Sequence, residues 1–308
     1  MVHQQVHGLL ALGLEGMERA KRLFVWRLVA HCAALICALA AAVFVEQHHT
    51  PGDAYEIYEL MAAALAIAFE LWALFLNHRA SGLHCRGREV MRRVMLLDAL
   101  DPAEAEAALK RSETYFGPTL SQRARLFKEQ DEQLPPDQQR LFNYYYSTKK
   151  LGQKRLRDHL FESAIFSHHL YAFAWKFSLA CLVVMLVAAG AVVMVLALGH
   201  HATPFRLLIA LIAFVPASQE VDHLLLYHTV EHQLSLLLKR VERLYSDALT
   251  GAEPQVQLLA DWGDYCAATT FAPPIRTWVY KRLVKKLVQD FEAKMQQLEK
   301  SAAVSGSE

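Results

Sequence analysis

The chain has 308 residues, of which 54% are hydrophobic, and its mean hydropathy is positive at +0.15. Average soluble domains are about 45–50% apolar, so this chain carries more apolar side chains than one soluble core requires. Its 32 Lys and Arg residues nearly balance its 31 Asp and Glu residues. That balance excludes a protein that coats DNA or RNA through bulk positive charge, and the composition indicates an integral membrane protein.

The first predicted elements are a cytoplasmic amphipathic helix over residues 1–23 and a transmembrane hairpin over residues 24–77. The hairpin contains two apolar runs, residues 28–45 and 57–76. Each run has the roughly twenty residues that a helix needs to cross the hydrocarbon core of a bilayer. A polar turn with a Pro-Gly pair separates them, so we expect two antiparallel transmembrane helices.

A second transmembrane hairpin is predicted over residues 170–227. Its first helix, residues 177–198, is the most apolar stretch of the chain. Its second helix is weaker, because the apolar run at residues 205–215 is followed by polar residues over 218–223. We interpret it as a complete fourth span, since otherwise the rest of the chain would lie on the far side of the membrane.

The distribution of Lys and Arg predicts the orientation of the four runs. Positive residues are concentrated before the first run, after the second and after the fourth. The turns that follow the first and third runs contain a single arginine, Arg206. Because cytoplasmic flanks carry the excess of Lys and Arg in multi-pass proteins, we expect both termini and the insert between the hairpins to be cytoplasmic.

The cytoplasmic parts are also predicted to be helical. The insert, residues 78–169, contains helical patterns over 86–100 and 121–132, and a helix that begins near Gln153 and runs into the third span. The carboxyl-terminal region, residues 228–308, combines a leucine-rich helix, an aromatic stretch, a basic amphipathic helix and a disordered polar tail. No segment has a clear strand pattern, so the predicted fold class is all-α.

Each apolar run contains or adjoins an ionisable group. A rise of about 1.5 Å per residue places these groups at a similar depth in the inner part of the membrane. Since a charge in a bilayer is costly without a partner or a wet cavity, we predict an intramembrane polar layer that lines a pore or a subunit seam. Its members are His31, Glu70, Lys176, Glu220, His223 and Glu231. The alternative is a static ion pair that fixes the register of the helices.

A different hypothesis is a metal-dependent membrane enzyme. Residues 228–232, HTVEH, have the H-x-x-E-H spacing of some zinc proteases, and residues 220–223, EVDH, have the Glu-x-x-His spacing of di-iron bundles. The candidate ligands are His223, His228, Glu231 and His232, with His168 or His169. Both patterns are short, and a catalytic metal needs at least three converging ligands. We therefore expect no metal, no cofactor and no enzymatic activity.

A cluster of tyrosines and cations before the third span suggests a ligand site. Aromatic rings stack on bases and cations bind phosphates, which is the chemistry of a nucleotide pocket. The candidate residues are Tyr144, Tyr145, Lys149, Lys150, Lys154, Arg155 and Arg157. The alternative is that the cations are cytoplasmic anchors of the third span and the tyrosines belong to a core or to the membrane interface.

In outline the chain resembles the bacterial four-transmembrane pore-forming effectors that are encoded beside synthases of nucleotide second messengers in antiphage systems. The resemblance rests on two helical hairpins around a cytoplasmic helical insert, on ESAIFSHHLY at residues 162–171 and on APPIRTWVYKRL at residues 272–283. It implies a protein of the bacterial inner membrane that is triggered on infection by a ligand such as a cyclic oligonucleotide. It implies no particular site residues.

The leading hypothesis is thus an effector that disrupts or permeabilises the membrane when its cytoplasmic part senses a ligand. Four helices of one subunit are too few to enclose a wide pore, so the expected partners are the lipid bilayer and further copies of the chain. One alternative is the metal-dependent enzyme. The other is a membrane adaptor whose helix at residues 231–249 recruits a soluble partner.

Overall fold

The structure, a computed structural model, is all-α as the sequence predicts, with eight helices and no strand among the residues it describes. Those residues are 2–47, 55–100, 104–135, 139, 151–198, 204–246, 252–270, 272–275 and 277–305. The helices are α1 (Val2–Gln47), α2 (Tyr55–Ala99), α3 (Ala105–Phe116), α4 (Pro118–Glu132), α5 (Gln153–Leu198), α6 (Pro204–Ser246), α7 (Ala252–Thr270) and α8 (Thr277–Ser305).

Four of the helices are much longer than the others. Helices α1, α2, α5 and α6 contain 46, 45, 46 and 43 residues. At 1.5 Å per residue such helices are about 65–70 Å long, roughly twice the hydrocarbon thickness of a bilayer. No proline interrupts α1, α2 or α5. Each of these helices therefore continues well past the apolar run that it contains.

The chain divides into two compact units. Unit 1 comprises residues Met1–Arg19, Gly82–Ala174 and Leu226–Glu308, and unit 2 comprises Ala20–Ser81 and Trp175–Leu225. The limits of unit 2 lie within about five residues of the predicted hairpins. The amino-terminal helix, the insert and the carboxyl-terminal region, which the sequence analysis treats as three separate pieces, form a single unit.

Unit 1 has an ordinary apolar core. One cluster joins α1, α2, α3 and α4, where Leu9, Leu10, Val94 and Leu120 are at most 2% exposed. In a second cluster, Leu170 of α5 packs with Val279 and Leu287 of α8. Large side chains are buried in both clusters, as expected for helices that pack in water.

Unit 2 has the opposite arrangement, with small side chains buried and large apolar side chains exposed. The buried residues of α1 and α2 in this unit are mostly alanines: Ala30, Ala34, Ala38, Ala63, Ala66, Ala73 and Ala80. By contrast Leu60, Leu71 and Val187 are 69%, 63% and 69% exposed. Small residues at helix contacts and large apolar residues on the outside are typical of helices that pack within lipid.

One helical segment among the described residues, Leu60–Ala99, is long and apolar enough to cross a membrane, and only 22% of its apolar window is buried. This segment includes most of the second predicted span. Much of the third predicted span and the apolar run of the fourth lie outside the described side chains. The structure thus supports a membrane-crossing helix, while the count of four spans stays a prediction.

Two details of the predicted helices need comment. The disordered polar tail stays a prediction; among the described residues, α8 continues to Ser305. Its last turns contain Ala302, Ala303 and few helix-breaking residues, which permits the helix to continue. Much of the tyrosine-rich stretch, residues 140–150, lies outside the described residues.

Two glycines of α2 are expected to respond in opposite ways to alanine. A Cβ atom at Gly87 would lie 2.7 Å from Met17 Cγ and 3.0 Å from the backbone oxygen of Gly13, so α1 and α2 approach too closely there for a larger residue. Gly87→Ala should lower the free energy of unfolding by about 1–3 kcal/mol. At Gly82 no atom lies within 4 Å of the added Cβ.

Gly82→Ala is therefore the matched control. It should raise stability by about 0.5–1 kcal/mol, because alanine favours a helix more than glycine does. Thermal unfolding of the two purified variants in the same detergent measures both effects. Equal midpoints for the two variants would contradict the close contact at Gly87.

Candidate functional site

Two members of the predicted polar layer, His31 of α1 and Glu70 of α2, contact each other in unit 2. His31 Nδ1 lies 3.0 Å from Glu70 Oε2 and 3.1 Å from Oε1. The side chains are only 4% and 13% exposed. Nearby on the same helices, Arg27 Nη1 donates to Asn77 Oδ1 at 2.8 Å. Polar contacts of this kind hold two otherwise apolar helices in one register.

The other predicted members of the layer lie in different surroundings or outside the described side chains. Lys176 is exposed, and its ammonium lies 5.9 Å from the centroid of the Trp175 ring. The side chain of Glu220 lies outside the described residues. His223 is half-buried in unit 2, whereas Glu231 belongs to unit 1. A single layer made of all six residues remains a prediction.

Glu231 has a partner within unit 1. His168 Nε2 of α5 lies 3.1 Å from Glu231 Oε1 of α6, and both side chains are about a quarter exposed. The imidazoles of His168 and His169 stack edge to face with centroids 5.3 Å apart. Burial and the neighbouring His169 lower the pKa of His168, although Glu231 opposes this shift; the nearby Lys294 lowers it further.

This lowered pKa predicts a pH dependence with a definite sign. The folded state disfavours protonated His168. Folding therefore carries no penalty from this histidine when the pH is above 6.5, the ordinary pKa of a histidine. Stability is then lost as the pH falls below 6.5 toward the lower folded pKa. We expect His168→Gln to reduce the fall in thermal midpoint between pH 7 and pH 5. The exposed His232→Gln is the control and should leave that slope unchanged; equal slopes for the two variants would contradict the assignment.

The four proposed metal ligands all lie on α6. His223 belongs to unit 2, while His228, Glu231 and His232 belong to unit 1. In the part of the chain that the structure describes, no three His, Cys, Asp or Glu side chains form a group that could hold a metal ion. The contact of Glu231 with His168 gives this glutamate a role in joining α5 to α6.

The predicted ligand site before the third span is only partly described. Tyr144, Tyr145, Lys149 and Lys150 lie outside the described residues, and Lys154 is exposed on α5. The two arginines of the set are turned toward the interior of unit 1. Ligand binding by this segment therefore stays a prediction.

Arg155 belongs to a buried charged network. Its Nη2 donates to Asp98 Oδ2 of α2 at 2.7 Å, and His159 Nε2 lies 2.8 Å from the same oxygen. The exposed fractions of the side chains are 16% for Arg155, 11% for Asp98 and 0% for His159. Burial alone raises the pKa of Asp98, but the hydrogen bond with His159 and the charge of Arg155 together hold it below its ordinary value.

Arg157 joins α5 to α6 in a different way. Its Nη1 donates to the backbone oxygen of Leu244 at 3.0 Å, and its guanidinium lies over the Tyr245 ring, 3.7 Å from the centroid. The Tyr245 hydroxyl donates to Asp158 Oδ1 at 2.8 Å. Burial, together with the Asp158 charge, raises the pKa of Tyr245. These contacts stabilise the interior of unit 1.

A cavity of about 220 Å³ lies elsewhere in unit 1 and contains two arginines that the sequence analysis did not select as ligand candidates. Arg88 and Arg92 are one turn apart on α2, so both side chains lie on one face of the helix. The remaining lining residues come from α1, α2, α5, α7 and the segment after α7. They are Met17, Met91, Met95, Ser163, Ser167, Leu170, Tyr171, Tyr265, Thr269 and Ile275.

The two arginines contact the carboxyl-terminal end of α7. Arg88 donates to the backbone oxygen of Thr269 and to the hydroxyl of Tyr171. Arg92 donates to the hydroxyls of Thr270 and Thr269 at 2.9 and 3.0 Å. On the opposite wall, the hydroxyls of Ser167 and Tyr265 are 3.2 Å apart. Cations at a helix C-terminus stabilise it, which explains why α7 ends against α2.

From the sequence alone these arginines look like topogenic charges after the second span. Their spacing of four residues is evident from the sequence. That they lie in one cavity with Tyr171, Tyr265 and Thr269 depends on how α2, α5 and α7 pack together. Chemically, two guanidinium groups with several hydroxyls in one cavity form a site for an anion. No family model, no curated protein and no solved structure matches this chain.

Proposed function

We propose that this protein is a bacterial inner-membrane effector that permeabilises the membrane when its cytoplasmic part senses a ligand. In this proposal four helices, beginning with the runs at residues 28–45 and 57–76, cross the membrane in two hairpins, and both termini are cytoplasmic. Unit 1 is the sensing part and unit 2 is the membrane part.

The observation that carries the proposal is the exposed apolar surface of unit 2. Leu60, Leu71 and Val187 are each more than 60% exposed, while alanines fill the contacts between α1 and α2. Exposed apolar surface of this extent is unfavourable in water at about 25 cal/mol per Å². In lipid this cost is absent. Helices in lipid associate through close contacts between small residues, such as the alanines here.

The polar pair in unit 2 supports the permeabilising part of the proposal. His31 Nδ1 and the Glu70 carboxylate contact each other between α1 and α2, while His31 Nε2 is buried without a hydrogen-bond partner among the described residues. If the two helices separate, or rearrange around further copies of the chain, both ionisable groups become exposed within the membrane. Such groups stabilise water in a pore because their hydration offsets the cost of burial.

The long helices support control by unit 1. Helices α2 and α5 contribute to the cores and networks of unit 1 and continue without a break into unit 2. Helices α2 and α5 are therefore the elements through which ligand binding in unit 1 would act on unit 2 in this proposal. The role in antiphage defence, with a nucleotide second messenger as the trigger, comes from the resemblance to pore-forming effectors.

The test is induced expression in bacteria with continuous measurement of membrane potential and growth. Wild-type protein should depolarise the membrane and arrest growth, and depolarisation should require infection or a nucleotide synthase encoded beside the gene. A periplasmic reporter fused to either terminus should be inactive, since both termini are proposed to be cytoplasmic.

Two other outcomes would favour the alternatives. Unchanged potential at good expression, with stoichiometric zinc or iron in the purified protein, would favour the membrane enzyme. Unchanged potential with a soluble protein that co-purifies through the helix at residues 231–249 would favour the adaptor. Either result would overturn the proposed permeabilisation.

A further inference from the structure

The cavity of unit 1 brings two positive charges together without a negative one. Among the described residues, no carboxylate pairs with Arg88 or Arg92. Their guanidinium groups contact hydroxyls, the backbone oxygen of Thr269 and the Tyr171 ring. Burial lowers the pKa of Arg92, the Cys266 thiol opposes that shift, and the nearby Arg88 adds to the lowering. Arginine nevertheless stays protonated, so the cavity holds two charges.

The end of α7 compensates only part of this charge. The C-terminus of a helix is equivalent to roughly half a negative charge, against two full positive charges here. Each guanidinium has five N–H donors, and these four hydrogen bonds leave six of the ten donors without an acceptor among the described residues. The positive charge of the two arginines is therefore only partly compensated. A bound anion would compensate it and would accept hydrogen bonds from the remaining N–H donors.

The rest of the wall indicates what kind of anion fits. Ser163, Ser167 and Tyr265 supply hydroxyl donors, while Met91, Met95 and Leu170 form an apolar side. The cavity of about 220 Å³ is smaller than the roughly 300–1,000 Å³ of pockets that enclose drug-sized ligands. It has room for a compact anion or for one charged end of a longer molecule.

We propose that the Arg88/Arg92 cavity binds the phosphoryl group of a small phosphorylated molecule. One arginine is enough for a carboxylate, which is bound by two parallel N–H groups of a single guanidinium. Two guanidiniums with surrounding hydroxyls match a phosphoryl group better, because it carries up to two negative charges and three acceptor oxygens.

The position of the cavity connects this binding to the proposed function. A phosphoryl group here would contact α2 through the two arginines and α5 or α7 through Tyr171, Ser167 and Tyr265. It would hold α2 and α5 together at a site from which both helices continue into unit 2. The regulatory consequence rests on the proposed function, whereas the binding itself does not.

The test uses the full chain, purified in detergent, with defined probes at constant ionic strength. Sodium pyrophosphate and adenosine 5′-monophosphate are the phosphoryl probes, sodium malonate is the carboxylate probe and sodium chloride is the baseline. At about ten times the dissociation constant, a phosphoryl probe should raise the thermal midpoint by about 3 °C over chloride. Isothermal titration calorimetry gives the affinity directly.

Arg88→Gln and Arg92→Gln should each weaken phosphoryl binding by about tenfold or more, because each removes charge-assisted hydrogen bonds. Arg93→Gln is the matched control, since Arg93 is on the same helix, 41% exposed, and pairs with Glu89. If loss of the contacts to α7 prevents folding, Ser163→Met keeps both arginines, fills part of the cavity and should also weaken binding.

Three results would overturn the assignment. They are no stabilisation of the wild type beyond chloride, equal stabilisation by malonate and by the phosphoryl probes, or undiminished binding in the folded cavity variants. The measurement is independent of membrane leakage. Binding without depolarisation in cells would support the phosphoryl site and reject the proposed function. Depolarisation without binding would support the proposed function and reject the phosphoryl site.

Discussion

Asp98→Asn is expected to lower the free energy of unfolding by about 3–5 kcal/mol, which corresponds to a fall of roughly 10 °C in the thermal midpoint. Asp98 Oδ2 accepts a hydrogen bond from Arg155 Nη2 at 2.7 Å and lies 2.8 Å from His159 Nε2. The variant has nearly the shape of the wild type but no negative charge. It therefore removes the charged acceptor of a largely buried guanidinium, and breaking one side of a buried ion pair is costly.

The same network predicts an acid transition with a definite sign. The pKa of Asp98 is held below its ordinary value of 3.8, so its charged form contributes full stability above pH 3.8. That contribution is lost as the pH falls through the lower folded pKa. The Asp98→Asn variant should lack this part of the acid transition.

Scanning fluorimetry of the purified proteins in one detergent measures both effects. Glu89→Gln is the control, because Glu89 is 58% exposed and its pair with Arg93 is a surface pair worth about 0–1 kcal/mol. A midpoint for Asp98→Asn within a degree or two of the control would show that the network contributes little to the fold.

The second large effect is expected on leakage when both members of the membrane pair are removed. The double variant His31→Ala, Glu70→Ala replaces the buried His31–Glu70 pair with two apolar side chains. Such a replacement of a buried pair is often neutral or stabilising for the fold. It removes the groups that we propose to stabilise water in the open state, so leakage should fall by about tenfold or more, equivalent to at least 1.4 kcal/mol.

The measurements are depolarisation in cells and dye release from proteoliposomes, with the thermal midpoint as a check of folding. The exchange variant His31→Glu, Glu70→His keeps both groups and is the matched control, which should retain leakage. If the double alanine variant folds and leaks like the wild type, the pair merely fixes the register of α1 and α2. The permeabilising role of the polar layer would then lose its main support.

Much of the helical architecture could be predicted because helices and apolar runs are local features. The start of α5 at Gln153 followed from Gly152 and from the pattern after it, and Gly152 has a positive φ of 133°. The limits of unit 2 lie near the predicted hairpins because hydropathy changes sharply there. The boundary between the basic helix and the polar tail is harder to predict, since a polar tail and a solvated helix have similar compositions.

The candidate site could be predicted only in part, because its contacts join residues far apart in the sequence. His31 and Glu70 were selected because an ionisable group within an apolar run needs a partner. Arg155 and Arg157 were selected as cations near tyrosines, but the structure places them against Asp98 and Leu244 instead. Both arginines had the right chemistry for a ligand, yet the sequence does not show which side chains they meet.

The all-α class, the apolar excess and the ionisable groups in or beside the apolar runs follow from composition and short-range periodicity. The folded structure was needed to show that alanines are buried and leucines exposed in unit 2, and that Arg88 and Arg92 share a cavity with residues of α5 and α7. The physical reason is that burial and charge pairing depend on which helix faces pack together, and this depends on residues more than 80 positions apart in the chain, such as Arg88 and Tyr171.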